Sequence, residues 1–395
     1  MPNRLLQRAL ARKVALRLVR LKRHRPIEFA IHSNGDYVRL PINDDTVLAG
    51  NPGIYSLRFY ERRSGWFFGN PVTPDFHKLG HATLDAIKSE PPHRPGSIMR
   101  QVSAVQEGHL NRAIGGWISG WLGTRPQDFG DDIREVNIES SDGWTLPCWL
   151  QMVADEPSTS WMIHVHGRGA NPAETARNFS QLQKLGFNNL SISYRNDATA
   201  KRNGRIERGT LGLGTTEWPD LEAAVAYAKA NGAQRILVFG WSYGAAISTQ
   251  FAAKSELAKH VSGYIFDSPV ISWRATLEYQ VALTGAPMHW LALGENFLSN
   301  AKSAKSIGLA EPIDFEEFEL TTLANNFEKR ALLLHSADDG YIPIEPCRDL
   351  AALLSDTISL VEFQGARHCK LYNHDLAKYS GAIEAFIERV GAKQN

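Results

Sequence analysis

From about Arg134 to the C-terminus, apolar and polar positions follow a repeating plan. Short apolar or alternating runs end in Gly-rich or polar turns and are followed by stretches with helical spacing. That succession describes strands covered by crossover helices, hence a mostly parallel sheet with helices on both faces. An alternating pair opens it, residues 135–139 and 144–152, joined by the turn Ser140-Ser141-Asp142-Gly143 as a hairpin. Further strands are expected over 161–166, 189–194, 235–239, 261–266, 330–335 and 358–363. Helices are expected over 173–185, 218–231, 245–253, 346–354 and 375–390. In such a sheet the strand C-terminal ends are left free for chemistry.

Three regions depart from this plan. Between Ser268 and Phe327 the alternation stops, and an insertion at about 269–328 carries large apolar residues such as Tyr279, Met288, Trp290 and Phe297. Its length exceeds ordinary α/β connections, which suits helices that lie over a pocket as a lid or pack on the sheet edge. Residues 26–130 form an accessory region, extended over parts of 37–60 and helical over 77–88 and 107–122. Residues 1–25 place Leu6, Leu10, Val14, Leu18 and Leu21 on one helical stripe, opposite most of the basic residues. The domain division that follows is 1–25, 26–130 and 131–395.

Charge sharpens the reading of the first segment. It holds nine of the 43 basic residues and none of the 42 acidic ones, so the remaining chain is mildly acidic although the whole carries +1. A nucleic-acid surface on the body is therefore not expected. A basic amphipathic helix suits peripheral contact with an anionic membrane or docking on the protein's own core. Cys148, Cys347 and Cys369 form neither a CxxC pair nor a zinc-ligand cluster. Basic residues interrupt the N-terminal apolar positions, so no secretory signal is legible. Both features fit a cytoplasmic protein, one that is peripheral to the membrane where residues 1–25 contact it.

The sharpest chemical signal is Gly240-Trp241-Ser242-Tyr243-Gly244, placed after the apolar run 236–239 and before a helix. A strand-to-helix elbow forces its serine into a strained backbone, and glycines two residues to either side keep Cβ atoms out of the turn. Ser242 then projects above the sheet as a nucleophile, with following backbone N–H groups at a helix N-terminus. On this motif and its setting, the chain from about Arg134 onward resembles the α/β-hydrolase superfamily, in the branch of esterases, acyl hydrolases and prolyl-oligopeptidase-like peptidases.

The resemblance implies roles for further residues. The His166-Gly167-Arg168-Gly169 stretch matches the family's His-Gly loop, which supplies one oxyanion donor: the Arg168 N–H by position, with Gly167 next, and Tyr243 as the other donor. His166 itself is expected to brace that loop. The family order of serine, acid, histidine selects His368 as general base, after the strand 358–363, over His374 at the start of a helix. For the acid, the turn Ser336-Ala337-Asp338-Asp339-Gly340-Tyr341-Ile342-Pro343 selects Asp339, with Asp338 as a turn former. Asp267, closing the strand 261–266, is the alternative acid. Cys369 adjoins the base and is expected to be a buried thiol. Arg168 and Arg195 stand just beyond strand ends, where a guanidinium binds a substrate carboxylate or an ordinary ion-pair partner.

These residues imply a serine hydrolase that cleaves the carboxylic ester of a small-molecule acyl substrate through an acyl-enzyme, with no cofactor and no metal. A peptidase of the prolyl-oligopeptidase type is the second reading. The reading from another class is a non-catalytic binding module on the same fold.

Overall fold

The structure, a computed structural model, describes residues 2–21, 29–41, 53–62, 74–87, 97–153, 157–207 and 209–391. Residues 22–25 of the expected basic helix, part of the expected extended stretch 37–60 and Lys88 of the expected helix 77–88 lie outside those residues.

The first helix, α1 (Pro2–Val19), turns Ala11, Ala15 and Val19 into the core, and Leu16, Leu18 and Leu21 pack against the same cluster. Leu6 at the other end is 73% exposed. Most of the apolar stripe is thus spent on the protein's own interior, and membrane contact through that face would require the helix to undock. Among the described residues no helix is long and apolar enough to cross a membrane.

The described residues of the accessory region form an antiparallel sheet with two short 3₁₀ turns, and no α-helix is found among them. Its strands are β1 (Phe29–Ala30), β2 (His32–Ser33), β3 (Tyr37–Pro41), β4 (Tyr55–Arg62), β5 (Pro74–Ile87), β6 (Ser97–Glu107) and β7 (Ala113–Ser119), in the spatial order β1-β7-β4-β5-β6-β3-β2. The helix expected over 77–88 falls in β5, and that over 107–122 spans the end of β6, a 3₁₀ turn at Leu110–Arg112 and β7. Pairing explains both corrections. β5 is hydrogen-bonded on both sides, to β4 and β6, and a side chain at Gly80 would run into the Phe59 ring. At Gly116 in β7 a Cβ would collide with the Arg58 carbonyl, so close strand approach decides the position. Phe59, Leu57, Ala82, Leu84 and Ile118 form the core of this layer, and such tertiary packing overrides local helix propensity.

The second sheet has ten strands: β8 (Ile133–Glu139), β9 (Trp144–Gln151), β10 (Ser160–Val165), β11 (Asn188–Ile192), β12 (Lys201–Arg202), β13 (Arg205–Ile206), β14 (Arg235–Trp241), β15 (Val261–Asp267), β16 (Ala331–Ser336) and β17 (Ile358–Phe363). Their order is β13-β12-β9-β11-β10-β14-β15-β16-β17, with β8 paired to β9. From β11 to β17 every pairing is parallel, as the buried apolar runs predict. Crossover helices α2 (Phe179–Lys184), α3 (Trp218–Ala230) and α4 (Tyr243–Lys254) follow the early strands. The helix expected over 173–185 is shorter than its pattern, because two 3₁₀ turns, Pro172–Glu174 and Ala176–Asn178, precede α2.

The insertion consists of α5 (Trp273–Thr284), α6 (His289–Ser299), α7 (Ala301–Ser306) and α8 (Leu320–Asn326). α9 (Glu345–Leu353), α10 (Leu371–His374) and α11 (Leu376–Gly391) complete the chain. α6 packs against α1: a Cβ at Gly294 would sit 2.6 Å from Val14 Cγ1, so the absence of a side chain there sets how closely the two helices approach.

Candidate active site

Ser242 occupies the turn between β14 and α4 with φ 51° and ψ −110°, a conformation that L-residues avoid. The flanking glycines are demanded by packing. A Cβ at Gly240 would come within 2.8 Å of the Gly244 carbonyl, and one at Gly244 would collide with the Val165 carbonyl at the end of β10. The elbow therefore fits against the neighbouring strand only with this sequence.

Two turns at the ends of β16 and β17 bring the remaining groups to the serine. His368 Nε2 lies 2.9 Å from Ser242 Oγ, and its Nδ1 lies 2.9 Å from Asp339 Oδ2. A carboxylate only accepts, so in the neutral ring Nδ1 carries the proton and Nε2 is left to accept from the hydroxyl. Asp339 is buried and its Oδ1 accepts the backbone N–H groups of Tyr341 (3.0 Å) and Ile342 (2.7 Å). Burial alone would raise this carboxyl, but the charge and hydrogen bond of His368, with His335 and the Ile342 N–H, outweigh it and hold it below its ordinary value. The two turns are stitched directly: Asp338 Oδ2 accepts the Gly365 N–H (2.6 Å), and the His368 N–H donates to the Asp339 carbonyl (3.0 Å). Asp338 thus serves the turn, and His374 ends α10 while His368 takes the bond to the serine.

Asp267 is placed elsewhere in the network. At the end of β15 it accepts from Tyr379 Oη (3.0 Å) and Ser268 Oγ (2.9 Å) and faces the buried Arg177 guanidinium at 3.7 Å. Arg177 also donates to the Cys369 carbonyl (3.0 Å), the Gly120 carbonyl (2.9 Å) and Asn373 Oδ1 (3.1 Å). Ser268 Oγ accepts the Cys369 N–H (3.0 Å). Asp267 and Arg177 therefore brace the segment after His368 and tie it to the end of the accessory sheet. Cys369 is buried, and burial pushes its thiol well above its ordinary value, which leaves it inert.

The loop after β10 supplies backbone donors. His166 is buried, stacked on Tyr194 at 4.4 Å, with Nδ1 2.9 Å from the Gly167 carbonyl and Nε2 3.1 Å from Asp197. It sits inside the loop and braces it. The Gly167 N–H donates to Glu174 Oε2 at 2.7 Å, which removes it from oxyanion duty. Among the described residues the Arg168 and Tyr243 N–H groups donate to nothing. Both guanidinium candidates are occupied: Arg195 pairs with Asp220 (2.7 Å) and Asp142 (2.6 Å), and Arg168 Nη2 bonds carbonyls of the first helix. The sequence reading missed Glu174 and Arg177. Glu174 also accepts from Trp121 Nε1 (3.3 Å), just past the accessory sheet, and an added Cβ at Gly167 would crowd its carboxylate at 3.0 Å, with Ser242 Cβ 3.5 Å away. Only its place eight residues after His166 could have hinted at this.

The Tyr341 ring packs on His368 at 5.2 Å. A groove of about 650 Å³ runs along α5, lined by Tyr279, Ala282, Met288, Leu320 and Pro343 and by the charged Arg274, Glu278, Glu319, Glu345 and Asp349; Ser242, His368 and Asp339 do not line it. Among the described residues no three His, Cys, Asp or Glu side chains converge to hold a metal ion.

No family model matches the chain. An uncharacterized protein of Bacillus subtilis, YqkD, is 23% identical over 257 residues, which cover 64% of this chain and 78% of that protein. Among solved structures, the esterase Pf2001 of Pyrococcus furiosus superposes with a TM-score of 0.51 at 19% identity, over 68% of this chain and 94% of the esterase. Est1E of Butyrivibrio proteoclasticus, solved with ferulic acid bound, aligns at 19% identity and a TM-score of 0.47, over 65% of this chain and 99% of its own.

Proposed function

We propose that this chain, which has the α/β-hydrolase fold, is a serine hydrolase that cleaves carboxylic esters. One observation carries the reading: a continuous Asp339–His368–Ser242 chain with both links at 2.9 Å, ending on a serine held at φ 51°. His368 takes the proton of Ser242 Oγ as the oxygen attacks the ester carbonyl. The resulting oxyanion is received by the N–H groups of Tyr243 and Arg168, fixed before the reaction begins. His368 then protonates the departing alcohol, and a water that it deprotonates releases the acid from Ser242. Asp339 holds the ring tautomer throughout.

Purified protein should hydrolyse short-chain nitrophenyl esters. Ser242→Ala should abolish this, by several orders of magnitude, while leaving the melting temperature near wild type. Undiminished turnover by the alanine variant, with contaminating esterases excluded, would overturn the reading in favour of a module that does no acyl chemistry.

A further inference from the structure

The loop that follows β10 is held on both sides of Arg168. Before it, the Gly167 N–H is fixed on Glu174; after it, Gly169 turns the chain at φ 74° and the Ala170 N–H returns to the Gly167 carbonyl at 3.2 Å. The Arg168 N–H donates to no acceptor among the described residues, and its direction depends on how the residue itself is anchored. That anchor is the side chain. Nη2 donates to the Arg20 carbonyl at 2.9 Å and to the Arg17 carbonyl at 3.2 Å.

Those acceptors belong to the end of α1, where a helix leaves its last carbonyls without intrahelical partners. The Leu16 carbonyl takes the Arg20 N–H (3.0 Å) and the Val19 carbonyl takes the Leu211 N–H (2.8 Å), so the guanidinium supplies two of the missing donors at the negative end of an 18-residue helix. α1 is itself immobilised by the burial of Ala11, Ala15 and Val19 and by Val14 against Gly294 of α6. Leu21 reaches the same loop, within 3.6 Å of where a Gly169 side chain would begin.

We infer that the Arg168 side chain is a positioning residue, which aims its own backbone N–H at the oxyanion by clamping to the C-terminus of α1. The N-terminal helix is then a working part of the active site. This inference rests on the serine-hydrolase reading above. Substituting the side chain keeps the N–H but releases the clamp, so the loss belongs in the transition state and not in ground-state binding.

The test is steady-state hydrolysis of a short-chain nitrophenyl ester by Arg168→Met, Arg168→Lys and the double variant Arg17→Ala/Arg20→Ala, with melting temperatures and the affinity of a boronic acid that mimics the tetrahedral intermediate. Arg168→Met should lower kcat about tenfold, with KM within about twofold, and weaken the boronate in proportion. Arg168→Lys, whose ammonium still reaches carbonyl oxygens, should recover most of kcat. The double alanine variant should match wild type, because the acceptors are main-chain carbonyls. Wild-type kcat and boronate affinity in folded Arg168→Met, or a loss in the double variant equal to that of Arg168→Met, would overturn the inference while leaving Ser242 chemistry in place. Inert wild-type protein would instead overturn the serine-hydrolase reading and this inference together.

Discussion

At Asp339 and Asp267 the same side-chain type meets two environments and acquires two tasks. Asp339 spends one oxygen on two backbone N–H groups and the other on His368. Behind it His335 is buried between Cys347 Sγ (3.1 Å) and the Ile342 carbonyl (3.3 Å), and burial holds its ring below its ordinary value against the pull of the Asp339 carboxylate. Asp267 instead balances Arg177. Asp339→Asn should keep the shape but favour the wrong histidine tautomer, lowering kcat about a thousandfold or more with little change in stability. Asp267→Asn should leave the rate far less affected but cost about 3 kcal/mol of stability, the scale for a buried charge left without its partner. Kinetics and urea unfolding on the two variants separate the roles; a severe kinetic loss at Asp267 with Asp339→Asn near wild type would reverse the assignment.

At the scale of elements, the parallel sheet and its elbow were legible because both faces of its central strands are buried. Runs such as Ile236-Leu237-Val238-Phe239 carry that burial in their composition, and β17 starts and ends at the residues its pattern marks. The strand-end turns were legible for a related reason, since Gly240 and Gly244 answer to contacts made within a few residues of the serine or one strand away. The accessory sheet was not legible. β5 contains Leu79, Ala82 and Ile87 at spacings that also suit a helix, and only pairing with β4 and β6 decides against it. The fate of α1 was hidden likewise: its stripe fits any apolar surface, and the choice was made by α6 and by Arg168, far along the chain. Glu174 and Arg177 escaped because their partners, Gly120 and Trp121 on one segment and Cys369 on another, lie far from them in the sequence.

The whole molecule stacks a buried aromatic and histidine layer beneath the Ser242 elbow. His164 lies among Phe179, Phe239 and Trp241, bonded to Asn189 Oδ1 at 3.0 Å, and burial pushes its ring down to about 3. In the accessory sheet, burial and then the Arg58 charge push His81 down to about 4. Folded values below the ordinary 6.5 mean that both rings resist charging in the native state. Their contribution to stability is complete above that pH and is lost as pH falls through the folded values, by up to about 1.4 kcal/mol per pH unit for each ring. Unfolding free energy measured by urea should therefore decline below pH 6.5, and less steeply in His164→Gln; equal slopes would contradict this account of the core. The central claim, however, is that one serine among the whole chain is a nucleophile. Its most direct measurement is labelling of the native protein by a fluorophosphonate probe, followed by mapping of the modified peptide. One stoichiometric adduct is expected, on Ser242, abolished by prior unfolding and strongly slowed in His368→Ala; no adduct, or one on another residue, would contradict the serine-hydrolase mechanism.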